Sequence, residues 1–496
     1  MQAHPEHVVV IGGSVAGLAA ALALAGSGRR VTVLERDAAP LPATPLEAFQ
    51  SWQRPGAPQT RHAHAFLSRL RNLLRDRAPE LLAKLLAAGA EELRFAQMLP
   101  PALRGIPLLP EDEDLTLLAC RRSTFEWCLR RHIAEAGLAE LEDGVKVTGL
   151  LGTAGPAPRV TGVRLRGPDG SQRTLAADLV IDASGRRSQL PAWLAALGAP
   201  ELASQSAPCG IFYSSRFYQL QGGVAPPAAL GLIAADLGYL KYAIFPGDSR
   251  IFSLTLAASP DDAPLRAVMR PEAFTAVAEA LPAIPEWIDP HVSQPVSDVH
   301  TLSSLRGTRR FPVAGGEPVA LGVAAIGDAL IHTNPIVGRG CSLAFVHAWL
   351  LADALCEHAG DARDFALALD AAVTREIVPW YEAQRVQDAD AIAVGELQRR
   401  GGDPFRFERP DGSVDLQAYI RAVVRDGLIP ALGEDALVLR AFLRMFNLLA
   451  PPQEIFQRPE IFSRVLASFA RRGERQPVAV GPPRDALLAR LERVAA

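Results

Sequence analysis

Gly12-Gly13-Ser14-Val15-Ala16-Gly17 joins an apolar run at residues 8–11 to a second one at 18–25. The spacing is G-x-G-x-x-G with Ser14 in place of the middle glycine. A first glycine allows the tight turn, the middle position brings backbone close to a pyrophosphate, and the third lets a helix lie against the strand. The helix start then offers free N–H groups and a positive dipole end to phosphate. Glu35 closes the next strand, Val31-Thr32-Val33-Leu34-Glu35. An acid there accepts from ribose hydroxyls. Gly12, Gly13, Ser14, Ala16, Gly17, Glu35 and the following Arg36 are therefore assigned to a dinucleotide.

A second constellation lies near residue 330. Ile326-Gly327-Asp328-Ala329 ends a late apolar run, and Asn334-Pro335-Ile336-Val337-Gly338-Arg339-Gly340 leads into a helix that begins near Cys341. An Asp at a strand end can bind a sugar hydroxyl. A Gly-rich helix start can place N–H groups against a developing anion. Two such sites far apart in the chain suit an elongated cofactor, FAD.

Positioning these residues takes a β-α-β unit with strands buried on both faces, hence a parallel sheet. Helical spacing covers 63–86, 122–136 and 342–356. Strand patterns cover 145–150, which carries Val147, then 160–165, 175–181 and 319–326. Residues 38–60 hold five prolines and read as loop. Short Tyr-, Phe- and Ile-rich runs across 210–256 predict an antiparallel sheet. From 365 onward the pattern is helical, with breaks at 401–412 and 450–453. The expected fold is α/β. A Rossmann-like FAD-binding domain (1–90, 119–203, 316–364) is interrupted by a mostly antiparallel substrate domain (91–118, 204–315), and a helical C-terminal region (365–496) follows.

Composition excludes several classes. The chain has 496 residues, 49% apolar and 21% charged, as a folded protein with a large core should. A net charge of −3 provides no field for nucleic acid or anionic lipid. Five cysteines show no CxxC, which predicts a reduced, cytoplasmic protein. The uncharged 8–28 stretch is broken by Gly12, Gly13, Ser14 and Gly17, so no transmembrane segment is expected. No metal site is expected: His62 and His64 would share one face of a strand, but no third ligand has suitable spacing.

Taken together, the fingerprint, Arg122 opening R-x-x-F-E-x-x-L, the Asp182 region and the Gly327 region resemble the flavin-dependent monooxygenases of the para-hydroxybenzoate hydroxylase fold. The resemblance implies that Asp328 meets the ribityl chain and that Pro335, Gly338 and Gly340 lie by the flavin pyrimidine edge. It also implies that Arg122 contacts the cofactor. Val147, Asp182, Gly327 and Cys341 join the cofactor set. The family's usual A-D-G-x-x-S appears here as Asp182-Ala183-Ser184-Gly185-Arg186-Arg187-Ser188, which leaves open whether NAD(P)H or a separate flavin reductase supplies electrons. Pro58-Gln59-Thr60-Arg61-His62-Ala63-His64-Ala65-Phe66, with Asn334-Pro335 and Gly338-Arg339-Gly340, is similar to a bacterial branch containing polyketide and polyether flavin epoxidases. There Arg61 would neutralise FAD phosphate or reduced flavin.

The implied activity is transfer of one oxygen atom of O₂, by epoxidation or hydroxylation through a flavin C4a-hydroperoxide, to a largely apolar small molecule. Arg61, Pro335 and Gly338 are the catalytic candidates. The substrate pocket is expected between the flavin ring and 204–310, where Phe212, Tyr213, Phe217, Tyr218, Tyr239, Tyr242 and Phe245 cluster, with Arg216 and Lys241 as polar anchors. Three rivals stay open: a flavin dehydrogenase or reductase, a flavin halogenase and a flavin-binding scaffold. Halogenases use W-x-W-x-I-P and a lysine in a tunnel. The six tryptophans here never stand two apart, and Lys84 lies in an apolar helix. Cys341, at a helix start, could have a lowered thiol pKa or merely pack. The apolar 436–449 helix could cover the substrate entrance, join a partner, lie on a membrane surface or cap the core.

Overall fold

The structure, a computed structural model, describes residues 6–227, 233–475 and 481–495. β-branched residues build strand β1 (His7–Ile11), buried along its length. Gly12, at φ +105, turns the chain into the alanine-rich helix α1 (Val15–Ala23). β2 (Arg30–Glu35) returns parallel to β1. Helix α2 (Arg122–Glu135) packs on α1. β3 (Glu140–Asp143) and β4 (Leu179–Asp182) extend the sheet.

The chain then builds a second sheet from β5 (Phe212–Leu220), β6 (Ile233–Asp236), β7 (Leu240–Pro246) and β8 (Ile251–Ala258). Their order is β6-β7-β8-β5, all antiparallel. Alternation divides its residues between two faces. Phe212, Tyr218, Leu240, Ile244, Leu254 and Leu256 share a core with Phe274 and Val277 of the helix Pro271–Ala278. Tyr213, Ser215 and Phe217 on β5, with Lys241 and Phe245 on β7 and Thr255 on β8, lie on the opposite face.

β9 (Val323–Ala325) returns to the first sheet, whose order is β9-β4-β1-β2-β3, parallel throughout. Ile11 stands opposite Leu34 and Asp182, and Asp182 opposite Ala325. The carboxyl ends of these strands therefore lie together, the edge where α/β sheets bind ligands. α3 (Gly340–Glu357) packs along α1. Among the described residues it is the one helix long and apolar enough to cross a membrane, and 61% of that stretch is buried within the protein.

The C-terminal region holds α4 (Val378–Arg399), α5 (Ala436–Phe446) and α6 (Arg484–Ala495). α5 caps the core: Leu439 and Leu443 pack with Phe95, Leu99, Leu103 and Leu115. Leu93, Leu117 and Leu118, at the two ends of the 91–118 segment, join the main core instead. Leu487 and Leu491 of α6 belong to the core behind that sheet.

Local differences from the sequence reading have local causes. Pro79 divides the 63–86 helix into Ser68–Arg77 and Pro79–Ala87. The 175–181 stretch splits between Gln172–Ala176, in a separate antiparallel sheet, and β4. Of 319–326 only β9 pairs as a strand. The proline-rich 38–60 stretch contains a short helix, Pro45–Ser51, whose N-cap Thr44 accepts from Glu47 N.

Candidate active site

Each fingerprint glycine is sterically required. A Cβ on Gly17 would fall 1.8 Å from Gly12 O, and one on Gly12 would fall 2.7 Å from Ala183 O. Ser14 holds the N-cap position of α1 without capping it. Its hydroxyl donates to Glu126 Oε2 at 2.9 Å and accepts from Arg122 Nη2 at 3.0 Å. The first turn of α1 also carries no acidic side chain. Its N–H groups are left for an external anion, which suits the diphosphate of a dinucleotide.

Glu35 is buried at the end of β2. Its Oε1 accepts from Asp37 N, and its Oε2 accepts from Gly13 N and from Arg54 Nη2 at 2.9 Å. A carboxylate has about four lone-pair positions, so one acceptor position stays open for a ribose hydroxyl. Arg54, which the sequence reading overlooked, also pairs with Asp37 and lies 3.0 Å from Glu126 Oε1. It lies within the proline-rich 38–60 stretch, without motif spacing, so no sequence signal marked it.

Arg122 joins three motifs. Besides Ser14, its Nη1 reaches Cys341 Sγ at 3.0 Å and His64 Nε2 at 3.2 Å. Glu126, fully buried, pairs with it at 3.1 Å. Burial alone would raise the Glu126 pKa, but Arg54, Arg122 and the Ser14 hydrogen bond hold it below the usual carboxylate range. Burial raises the Cys341 thiol pKa, against the lowering by the neighbouring Arg122.

His62 and His64 do not share a strand face, because 62–65 form no strand. His64 Nδ1 meets His62 O at 3.0 Å, and Arg122 can only donate to Nε2, so His64 is the neutral Nδ1–H tautomer. His62 lies edge-on to Tyr213 at 5.0 Å and 3.4 Å from Ser215 Oγ. Burial first, then neighbouring charge, lowers both pKa values to about 3.

The late motifs close on the same edge. Gly327 is in the left-handed region, and its N–H donates to His347 Nδ1 of α3 at 3.2 Å. The Asp328 side chain remains 41% exposed, with His332 Nε2 3.8 Å from its carboxylate. Gly338, at φ +68, abuts Ala65, where its own Cβ would meet the methyl at 2.8 Å. Gly340 starts α3, and a Cβ there would meet nothing within 4 Å. Val147 is buried on Lys146–Gly152, near Val145, whose N–H donates to Glu35 O. Arg36 and Arg61 are exposed.

Asp182 ends β4 beside Ile11. It is fully buried, and its carboxylate is spent on Ser184 N and the hydroxyls of Ser184 and Ser188. Burial raises its pKa. It organises the turn behind Gly12.

A cavity of about 310 Å³ opens between the antiparallel sheet and the Pro335–Val337 turn. Tyr213, Tyr242, Phe245, Thr255 and Ala257 form one wall, and Ala63, Pro335 and Ile336 form the other. Lys241 lines it, paired with Asp236. Arg216 does not: it donates to Ser297 O and Thr275 Oγ1. Phe212, Tyr218 and Tyr239 belong to the core behind the sheet. Among the described residues no cluster of three His, Cys, Asp or Glu could hold a metal ion.

Residues 7–54 match the pattern of the family described as pyridine nucleotide-disulphide oxidoreductase. Protein Rv3254 of Mycobacterium tuberculosis is 28% identical over 95% of this chain and 97% of its own. The flavin-dependent brominase Bmp2 superposes with a TM-score of 0.59 at 17% identity, over 94% of this chain and 100% of that one. The p-nitrophenol 4-monooxygenase PnpA of Pseudomonas putida DLL-E4 gives 0.59 at 19% identity, over 90% and 98%. The fold is that of the FAD-dependent oxidoreductases. FAD fits the residues present: an uncapped α1 start for its diphosphate, Glu35 for one ribose, and the partly exposed Asp328 for the ribityl chain. The start of α3 stands beside the cavity wall made by Pro335 and Ile336.

Proposed function

We propose that this protein is an FAD-dependent monooxygenase that transfers one oxygen atom of O₂ to a largely apolar small molecule, by epoxidation or hydroxylation. The observation that carries this reading is the apolar cavity, which runs from the antiparallel sheet to the Pro335–Val337 turn at the expected flavin edge. Bound FAD supplies the oxygen activation. The chain's own residues do the rest. Tyr213 and Phe245 bury the apolar body of the substrate and exclude water. Thr255 offers a hydroxyl that is itself held by Ser215 at 2.9 Å. Lys241 and Asp236 offer a polar end to the cavity.

The similarity of residues 58–66 to polyether epoxidases supports an alkene as the oxygen acceptor. NAD(P)H or a separate flavin reductase delivers the electrons. A halogenase reading has one observation in its favour, the presence of Lys241 in the cavity wall. Its ion pair with Asp236 and the missing W-x-W-x-I-P segment favour oxygen transfer. Lys84 is no tunnel lysine: it is exposed and pairs with Glu135.

The deciding experiment is anaerobic stopped-flow of the flavin band with NADH and NADPH, with and without apolar alkenes and phenols, followed by oxygen. Incorporation of labelled oxygen from O₂ into product supports oxygen transfer. Flavin reduction by the organic substrate itself would identify a dehydrogenase. Product formation only with bromide or chloride would identify a halogenase. Flavin binding without turnover in any assay would leave a scaffold.

A further inference from the structure

Arg339 stands between Gly338 and Gly340, at the N-cap position of α3. It is only 5% exposed. Nη1 donates to Gln384 Oε1 at 3.2 Å, and the guanidinium lies 4.9 Å from the Trp380 ring centre. Nε is buried with no acceptor among the described residues. Burial pushes the pKa down to about 10.

Other buried arginines near the cleft are unlike it. Arg54, Arg121 and Arg122 each meet a carboxylate directly. Arg339 makes no ion pair among the described residues. Burying an unpaired cation is costly. Placing it at the N-terminus of an eighteen-residue helix adds repulsion from the positive end of the dipole. Both costs fall when an anion arrives at that helix end.

The side chain is also tethered in place. Asn334 Nδ2 and Gln384 Nε2 both donate to Asp388 Oδ1, at 2.8 and 2.7 Å. Gln384 then accepts from Arg339. Residues 334 and 339 flank the flavin-edge turn, while 384 and 388 stand one turn apart on α4. A closed side-chain ring thus staples both ends of the turn to one helix face. Asp388 meets Gln384 and Asn334, not the guanidinium.

We propose that Arg339 is the fixed positive charge that stabilises negative charge on the pyrimidine edge of the flavin ring at the start of α3, with Gln384 and Asp388 as its positioning residues. The inference rests on the FAD reading above. An oxidised ring is neutral and a reduced one carries negative charge at that edge. An uncompensated cation beside it favours the anionic form.

Sulfite tests the charge directly. Its lone pair adds to oxidised flavin, bleaching the visible band and leaving negative charge on the ring edge. In the FAD-loaded protein, Arg339→Met should raise the sulfite dissociation constant about tenfold or more, as expected for a lost charged interaction. Arg339→Lys, which keeps the charge, should retain most of the affinity. FAD-free Arg339→Met should unfold at the same temperature as the FAD-free wild type, or higher, since a buried unpaired charge has been removed. Wild-type sulfite affinity in Arg339→Met would overturn the proposal. So would equal losses in the Lys and Met variants. If Arg339→Met fails to fold, Gln384→Leu carries the test, because releasing the guanidinium should weaken sulfite binding and unchanged binding would overturn the proposal. Wild-type protein that takes up no flavin would instead remove the FAD reading itself.

Discussion

Ala16 and Gly327 meet across the cofactor cleft: a Cβ on Gly327 would lie 2.9 Å from the Ala16 methyl. The fingerprint helix and the late Gly-Asp motif are therefore in direct contact, and the glycine is what allows it. Gly327 also holds φ +56.

Two alanine substitutions should rank by what they strike. Gly17→Ala meets the backbone oxygen of Gly12 at 1.8 Å, and no side chain can move to relieve it. Gly327→Ala meets a methyl and a strained φ, costing about 1–3 kcal/mol. Urea unfolding and flavin retention should show the larger loss for Gly17→Ala. Asp328→Ala should leave the fold intact and weaken FAD binding by about 1.5–3 kcal/mol, the loss of a charged hydrogen bond. Equal losses from the two glycine variants would contradict the steric account.

Glu126→Gln should destabilise the protein by about 3–5 kcal/mol, because Arg54 and Arg122 would lose a carboxylate that both share in a buried site. The Glu126 pKa lies below its ordinary value. Its contribution is therefore complete above the unfolded carboxylate range and is lost as pH falls through the lower folded value. Denaturant midpoints between pH 3 and 7 should show a smaller acid loss in Glu126→Gln than in wild type.

His62 and His64 have folded pKa values of about 3, below the ordinary 6.5. The unfolded chain binds protons between these values while the folded chain does not. Stability therefore falls as pH drops from 6.5 toward 3. His62→Gln and His64→Gln should each flatten that slope. Nitrogen chemical shifts should show His64 neutral at pH 6 with its proton on Nδ1; a charged ring there would contradict the assignment.

Ala257→Trp should fill the cavity wall, leave FAD in place and abolish the flavin spectral change caused by apolar ligands. Arg216→Ala, behind the sheet, should leave that change intact. Equilibrium titration with one alkene and one phenol distinguishes the two positions. Arg216→Ala behaving like Ala257→Trp would place the substrate elsewhere.

Residues acting on their own neighbourhood were legible from the chain alone. Gly12 and Gly17 are dictated by backbone sterics within a few residues, and Glu35 by the length of one strand. The apolar period marked β1, α1 and β2 because both faces of a parallel sheet are buried. That same locality leaves Asp182 with two readings, since a carboxylate after a strand can bind a sugar or close its own turn, and tertiary packing sets it against Ser184 and Ser188. The aromatic run at 212–245 was visible as composition, but only strand register decided that Tyr213 and Phe245 face the cavity while Phe212 and Tyr218 face the core. Arg54, Gln384 and Asp388 carry no local pattern at all, and Arg339 sits in a motif marked only by its glycines. Their roles come from contacts between distant segments, and a buried charge takes its meaning from the partner that tertiary packing brings to it or withholds.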